Sequence, residues 1–150
     1  MIRKYLSDDH ARLDAALQAG DYEAFREGLL RHIGIEQKIL FPIVRGWSLV
    51  ERLHLDHGAL AALLVPTPTR AILDASRTIL ENHNPLEEGP GGLYEECERR
   101  LGAGASEILE RIQNTPRVPV ARHVDNPISM ESLRNALRRA GYEGICFRNQ

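Results

Sequence analysis

The chain has 150 residues, a formal net charge of −2 and a hydrophobic content of 43%. This length suits one compact domain with a short appendage, and the near-neutral charge gives no long-range attraction to nucleic acid or an anionic membrane. No apolar run approaches the roughly 18 residues that a membrane-spanning helix needs, and the first residues lack the apolar core of a secretory signal. We therefore expect a cytoplasmic protein that binds neither nucleic acid nor membranes.

The first two predicted helices are separated by Gly20. Ser7 is expected to cap the first helix, which runs to about residue 19, and Asp21 to cap the second, which runs to about residue 45. Apolar residues recur along the second helix at spacings of three and four, and His32 and Glu36 share their face.

Two further helices are predicted before residue 90. Ser48 and Glu51 match a capping box for the third helix, which ends before Pro66. The fourth helix is expected to be capped by Thr67 and to run from about residue 68 to 83. Pro85 and the glycine-rich run 89–92 should kink or interrupt it. Helical patterns resume at about residues 93–102 and 106–113.

Pro116 and Pro119 predict a boundary, so the domain of residues 1–115 should be followed by an extension of unknown role, residues 116–150. In that extension Asn126 is expected to cap a last helix, which Gly141 stops. Short apolar runs there could form strands, at Val118, Val120, Ile145 and Phe147. The main elements predict an all-α protein, whose short loops make neighbouring helices antiparallel.

Histidine and glutamate repeat along these helices in a fixed order. Each half of the pattern is a helix with one histidine, followed by a helix with a histidine and, four residues later, a glutamate. In chain order these residues are His10, His32, Glu36, His57, His83 and Glu87. The repeat extends further, because Leu40-Phe41 after the first pair is matched by Leu93-Tyr94 after the second.

The spacing within each pair predicts a metal site. Side chains four residues apart lie one above the other on a helix, so the imidazole and the carboxylate can converge on one ion. Each histidine taken alone is more often a core residue than a ligand, but burying the whole set without metal would cost several kcal/mol per unpaired charge. Imidazole and carboxylate suit iron, manganese or zinc. His54 and His123 fall outside the pattern, and we expect them at the surface or its boundary.

The motifs that carry a family resemblance are Asp9-His10, His32-Ile-Gly-Ile-Glu36, Asp56-His57 and His83-Asn84-Pro-Leu-Glu87-Glu88. In this order, over about residues 1–101, they resemble the hemerythrin family in its bacterial HHE cation-binding branch. The resemblance implies an up-down four-helix bundle with a non-haem di-iron centre. By it, His10 and His32 bind one iron, whereas His57 and His83 bind the other. Glu36 and Glu87 bridge the pair, and an oxo or hydroxo ligand completes the bridge.

The chain departs from that family at three places. Oxygen-carrying hemerythrins have a second histidine on the third helix where this chain has Leu53, and His54 lies one residue away from that position. Pro85 lies inside the fourth-helix motif, and the run 89–92 interrupts a helix that the family usually continues. Losing a histidine should favour redox reaction or sensing over reversible storage of oxygen. Glu88 or water is then a candidate for an open metal position.

Three functions remain open from the sequence. The first is a di-iron protein that binds or reacts with a small oxidant, namely dioxygen, peroxide or nitric oxide, in sensing or detoxification. The second is an iron donor or store. The third is a metal-stabilised module whose C-terminal segment binds a protein partner. Whether catalytic turnover occurs is open, and manganese and zinc are alternatives to iron. The two cysteines, Cys97 and Cys146, are too few for a disulfide framework or a cysteine-ligated metal cluster.

Overall fold

The computed structural model describes residues 1–145, and within that range the chain forms helices and turns without any strand. In chain order the α-helices are α1 (Ile2–Gln18), α2 (Tyr22–Ile35), α3 (Val50–Leu63), α4 (Arg70–Glu88), α5 (Leu93–Leu101), α6 (Ala105–Gln113) and α7 (Pro127–Arg139). A π-helical turn, Glu36–Leu40, follows α2, and a 3₁₀ turn, Gly102–Gly104, joins α5 to α6. The all-α class is confirmed. None of the helices among these residues is long and apolar enough to cross a membrane.

The predicted short strands are wrong at Val118, Val120 and Ile145, because no neighbouring strand in the described part of the chain is there to pair with them. Phe147 and Cys146 lie outside the described residues. The predicted start and end of the last helix are confirmed. Asn126 caps α7 by accepting a hydrogen bond from the Ser129 N–H over 2.8 Å, and Gly141 follows its end with φ of 87°.

The predicted helix starts hold where the cap is purely local. Asp21 caps α2, since its carboxylate accepts a hydrogen bond from the Ala24 N–H over 3.2 Å. By contrast, α1 begins at Ile2 rather than at Ser7. Ile2 and Leu6 are wholly buried, so packing of their side chains extends the helix beyond the residue that local capping would favour.

A tertiary contact displaces the predicted cap of α4. The helix begins at Arg70, and Thr69 Oγ1 accepts a hydrogen bond from the Ile72 N–H over 3.3 Å. Thr67 instead donates to the Asp125 carboxylate twice, from its backbone N–H over 2.8 Å and from its hydroxyl over 2.6 Å. Asp125, 58 positions away in the sequence, therefore binds the residue that the local pattern assigns to the cap.

Pro85 does not end α4, which continues to Glu88 instead of stopping near residue 83. Proline removes only one N–H from the helix, and the turn after it stays bonded because the Gly89 N–H donates to the Pro85 carbonyl over 3.0 Å. The interruption falls at residues 89–92, as predicted. A Cβ atom at Gly92 would lie 2.7 Å from the carbonyl oxygens of both Leu86 and Glu87. This position therefore has room only for glycine.

The described chain divides into two compact units. The first consists of Met1–Val50 and Asn84–Val120, where α1 packs against α2, α5 and α6. Its wholly buried core residues include Ile2, Leu6, Phe25, Leu40, Leu93 and Tyr94. The second consists of Glu51–His83 and the described residues from Ala121 onward, with a core that includes Leu53, Leu60, Leu63, Ile72, Ile79, Leu133 and Leu137. The boundary at residues 115 and 116 stays a prediction.

Candidate metal centre

Four of the predicted ligands come together in the interior of the first unit. They are His10 on α1, His32 on α2, Glu36 at the start of the π-helical turn and Glu87 on α4. Their donor atoms all lie within 4.8 Å of one another, and no side chain of the four is more than 6% exposed. His10 Nε2 lies 3.3 Å from Glu87 Oε1, and His32 Nε2 lies 2.7 Å from Glu36 Oε1.

Asp9 fixes the orientation of the His32 ring. Its Oδ2 lies 2.7 Å from His32 Nδ1, and its Oδ1 accepts a hydrogen bond from Arg12 over 2.6 Å. Burial by itself would raise the pKa of Asp9, but the hydrogen bond from His32 and the nearby Arg12 guanidinium outweigh it and lower the pKa to about 2. An ionised Asp9 favours the tautomer of His32 that carries its proton on Nδ1, and in that tautomer Nε2 can bind a metal ion.

Glu88 holds the His10 ring in the same way. Its Oε2 lies 3.2 Å from His10 Nδ1, which leaves Nε2 on the side of Glu87. Its backbone carbonyl accepts a hydrogen bond from Arg3 Nε over 2.8 Å. The sequence left open whether Glu88 is an extra ligand. The structure places its carboxylate on the far nitrogen of His10, where it orients the ring.

Tyr94 is a member of this cluster that the ligand pattern missed. Its side chain is wholly buried, and its hydroxyl oxygen lies 3.1 Å from His10 Nε2 and 3.1 Å from His32 Nε2. Burial, together with the nearby carboxylates of Glu36 and Glu87, raises the pKa of the hydroxyl well above its ordinary value of 10. The signal in the sequence is the repeat, where Tyr94 occupies the place of Phe41 but carries a hydroxyl that needs a polar partner.

The backbone at Glu36 also differs from the prediction of one continuous α-helix. The Phe41 N–H donates to the Glu36 carbonyl over 2.8 Å, a step of five residues instead of four. Such π-helical turns are rare and occur frequently at functional sites. The wider turn still buries Leu40 and Phe41, which are 0% and 8% exposed. Apolar spacing alone does not distinguish this turn from an α-helix.

The other two predicted ligands, His57 and His83, lie together in the second unit. Their ring centroids are 4.9 Å apart with an interplanar angle of 62°, and both side chains are at most 2% exposed. His83 Nδ1 lies 3.0 Å from Asp56 Oδ2, and Asp56 is paired with Arg52 Nη2 over 3.2 Å. The aspartates that precede His10 and His57 in the sequence thus each orient a histidine on a different helix.

The remaining candidates are placed outside these clusters. His54 is exposed and His123 is half-buried, as expected for residues outside the pattern. Leu53 belongs to the buried core of the second unit. Cys97 is a buried free thiol, and burial raises its pKa to about 12, so it stays protonated at neutral pH.

The donor set in the first unit fits a transition-metal ion. Imidazole nitrogen and carboxylate oxygen together suit iron, manganese and zinc. Histidines that bind metal usually donate their other N–H to a carboxylate, and the Nδ1 atoms of His10 and His32 each lie within hydrogen-bond distance of one. A cation would also offset the cost of burying Glu36 and Glu87, both wholly buried. The protein thus contains buried histidine and glutamate side chains that could hold metal ions.

Comparison with known proteins does not assign a family to the chain. No protein-family model matches the chain, and searches of curated proteins and of solved structures found no match.

Proposed function

We propose that this protein is a hemerythrin-like, non-haem di-iron protein that binds or reacts with a small oxidant in sensing or detoxification. The observation that supports it is the convergence of His10, His32, Glu36 and Glu87 within 4.8 Å in a buried cluster. Each histidine presents Nε2 while a carboxylate holds its Nδ1. The up-down four-helix bundle is part of this proposal and follows from the family resemblance.

The repeat in the sequence is the reason for proposing a second iron. His57 and His83 occupy in the second half the places of His10 and His32 in the first. Both are buried, and His83 is oriented by Asp56 as His32 is by Asp9. The sequence pattern then gives Glu36 and Glu87 the role of carboxylates shared by two ions.

Each side chain of the proposed site has a distinct task. The histidine nitrogens and glutamate oxygens bind the ions, which supply redox chemistry toward dioxygen, peroxide or nitric oxide. Asp9, Glu88 and Asp56 fix the imidazole rings so that Nε2 carries the lone pair. Burial of the cluster limits the access of water and leaves room only for small reactants.

The test is metal analysis combined with an optical spectrum of protein purified from iron-supplied cells. We expect about two irons per chain and a visible spectrum that changes with oxygen. The His32→Ala variant should bind sharply less iron, and Glu36→Ala should be at least as severe. The control is His54→Ala, an exposed histidine outside the pattern, which should keep its iron.

Other outcomes would favour the alternative functions. Rapid loss of iron to a chelator while the fold persists would indicate an iron donor or store. A zinc protein without visible absorption would indicate a metal-stabilised interaction module. Full di-iron occupancy in Glu36→Ala would contradict the bridging role of this glutamate.

A further inference from the structure

The hydroxyl of Tyr94 lies at distances from two candidate ligands that binding of one shared metal ion would allow. It is equidistant from the two imidazole nitrogens, at 3.1 Å from His10 Nε2 and 3.1 Å from His32 Nε2. Two donors that bind one ion at about 2.1 Å and at right angles are about 3.0 Å apart. The pairs His10–Glu87 and His32–Glu36, at 3.3 and 2.7 Å, fall in the same range.

We propose that Tyr94 is a metal ligand of this cluster, bound through its phenolate oxygen beside His10 and His32. This inference rests on the proposed function, because it requires that the cluster binds metal. The repeated spacing of histidine and glutamate does not include this residue, and it enters the cluster only through the tertiary position of α5.

The hydrogen bonds of Tyr94 argue against a purely structural role. Both nitrogens within reach of its hydroxyl are Nε2 atoms, and Asp9 and Glu88 orient the rings so that these atoms carry the lone pairs. The single hydroxyl proton is donated to one of them at a time, and a metal ion bound to both nitrogens leaves neither as an acceptor. Binding the same ion replaces them, and the wholly buried oxygen then keeps a partner.

The glycine-rich run between α4 and α5 places Tyr94 at this point. Gly92 packs so closely on the end of α4 that a Cβ would lie 2.7 Å from the Glu87 carbonyl. Tyr94 follows two residues later, in the first turn of α5. The glycine-rich run, where the chain departs from the family pattern, therefore returns the chain so that Tyr94 lies near Glu87 in the last turn of α4.

When Tyr94 binds the ion, the metal replaces the hydroxyl proton and no electron is transferred. The O–H bond breaks, the bond between Oη and the metal forms, and the proton leaves to solvent. Phe41, the counterpart in the repeat, has no hydroxyl, so the proposal applies to one half of the pattern only.

The experiment compares the wild type with Tyr94→Phe, and uses Tyr22→Phe as a control in the same unit. Metal-free protein is titrated with zinc, which has no visible absorption, and the near-ultraviolet difference spectrum of tyrosinate is recorded. In a second series the protein is loaded with ferric iron, and the visible charge-transfer band of a phenolate ligand is measured. Circular dichroism of each metal-free variant checks the fold.

We expect the wild type and Tyr22→Phe to show both signals and Tyr94→Phe to show neither. Tyr94→Phe should still bind metal, with an affinity lower by about tenfold or more. A wild type that binds zinc and iron without either tyrosinate signal overturns the assignment, whatever the variant does. A wild type that binds no metal overturns the proposed function as well, which separates the two failures.

Discussion

Arg52 donates a hydrogen bond from Nη1 to the carbonyl oxygen of Ala140 over 2.7 Å. The same guanidinium donates to the Tyr142 hydroxyl over 3.1 Å and lies 3.2 Å from Asp56 Oδ1. Asp56 in turn lies 3.0 Å from His83 Nδ1. The segment that follows α7 is thus connected, within the second unit, to the aspartate that orients a candidate metal ligand.

Replacing Arg52 with leucine should destabilise the protein by about 1–3 kcal/mol. Because this arginine is partly exposed, the loss should lie toward the lower end of that range. The wholly buried Asp56 would lose its guanidinium partner, and Ala140 would lose a donor. Urea unfolding measures the change. Arg70→Leu is the control, because its pair with Asp74 at 3.9 Å is exposed, and its effect should stay within about 0.5 kcal/mol. Equal effects of the two substitutions would contradict a role for the Arg52 contacts.

Asp9→Asn should weaken metal binding by about 10- to 100-fold, although Asp9 is not among the proposed ligands. The substitution removes the charged acceptor that holds His32 Nδ1 at 2.7 Å. Zinc titration against a competing chelator measures the affinity. The neighbouring Asp8 is exposed and pairs with Lys4 over 2.8 Å, so Asp8→Asn should bind zinc like the wild type. Unchanged affinity in Asp9→Asn would show that His32 does not need this carboxylate.

Gly92→Ala should destabilise the first unit by about 1–3 kcal/mol, the usual range for an overpacked position. Its Cβ would lie 2.7 Å from two backbone carbonyl oxygens, and backbone atoms cannot rotate away as a side chain can. Thermal unfolding monitored by circular dichroism measures the loss. Gly34→Ala in α2 gives the opposite expectation, a gain of about 0.5–1 kcal/mol, because a Cβ there meets no atom within 4 Å beyond its chain neighbours and the backbone of its own helix. A stability in Gly92→Ala at or above that of the wild type would be inconsistent with the close packing.

Alkaline pH should destabilise the protein partly through Cys97. Burial raises the pKa of this thiol from 9.0 to about 12. The unfolded chain therefore releases the proton first, so the stability from the buried neutral thiol is complete below pH 9 and is lost as the pH rises toward about 12. Urea unfolding measured from about pH 8 upward should show that the free energy of unfolding falls less steeply with pH for Cys97→Ala than for the wild type. Parallel declines would mean that other groups account for the alkaline loss.

The sequence by itself determined the features that depend on local spacing. A period near 3.6 predicted the all-α class, and single polar residues predicted the starts of α2 and α7 at Asp21 and Asn126. The four-residue spacing of His32 and Glu36 placed both on one helical face, and the structure brings them together with His10 and Glu87. These features are readable because neighbours along a helix contact each other regardless of the rest of the fold.

Only the tertiary structure decided what surrounds those residues. The contact of Asp9 with His32 spans 23 positions, and that of Tyr94 with His10 spans 84. Thr67 donates a hydrogen bond to Asp125 instead of capping α4 as predicted. Leu40 and Phe41 are buried at a π-helical turn that no local pattern indicates. In each case the arrangement depends on a distant partner or a buried surface, which local preferences, such as the roughly 1 kcal/mol of a helix cap, do not reveal. Local spacing therefore predicts the candidate ligands, whereas the side chains that orient them depend on contacts formed only when the chain folds.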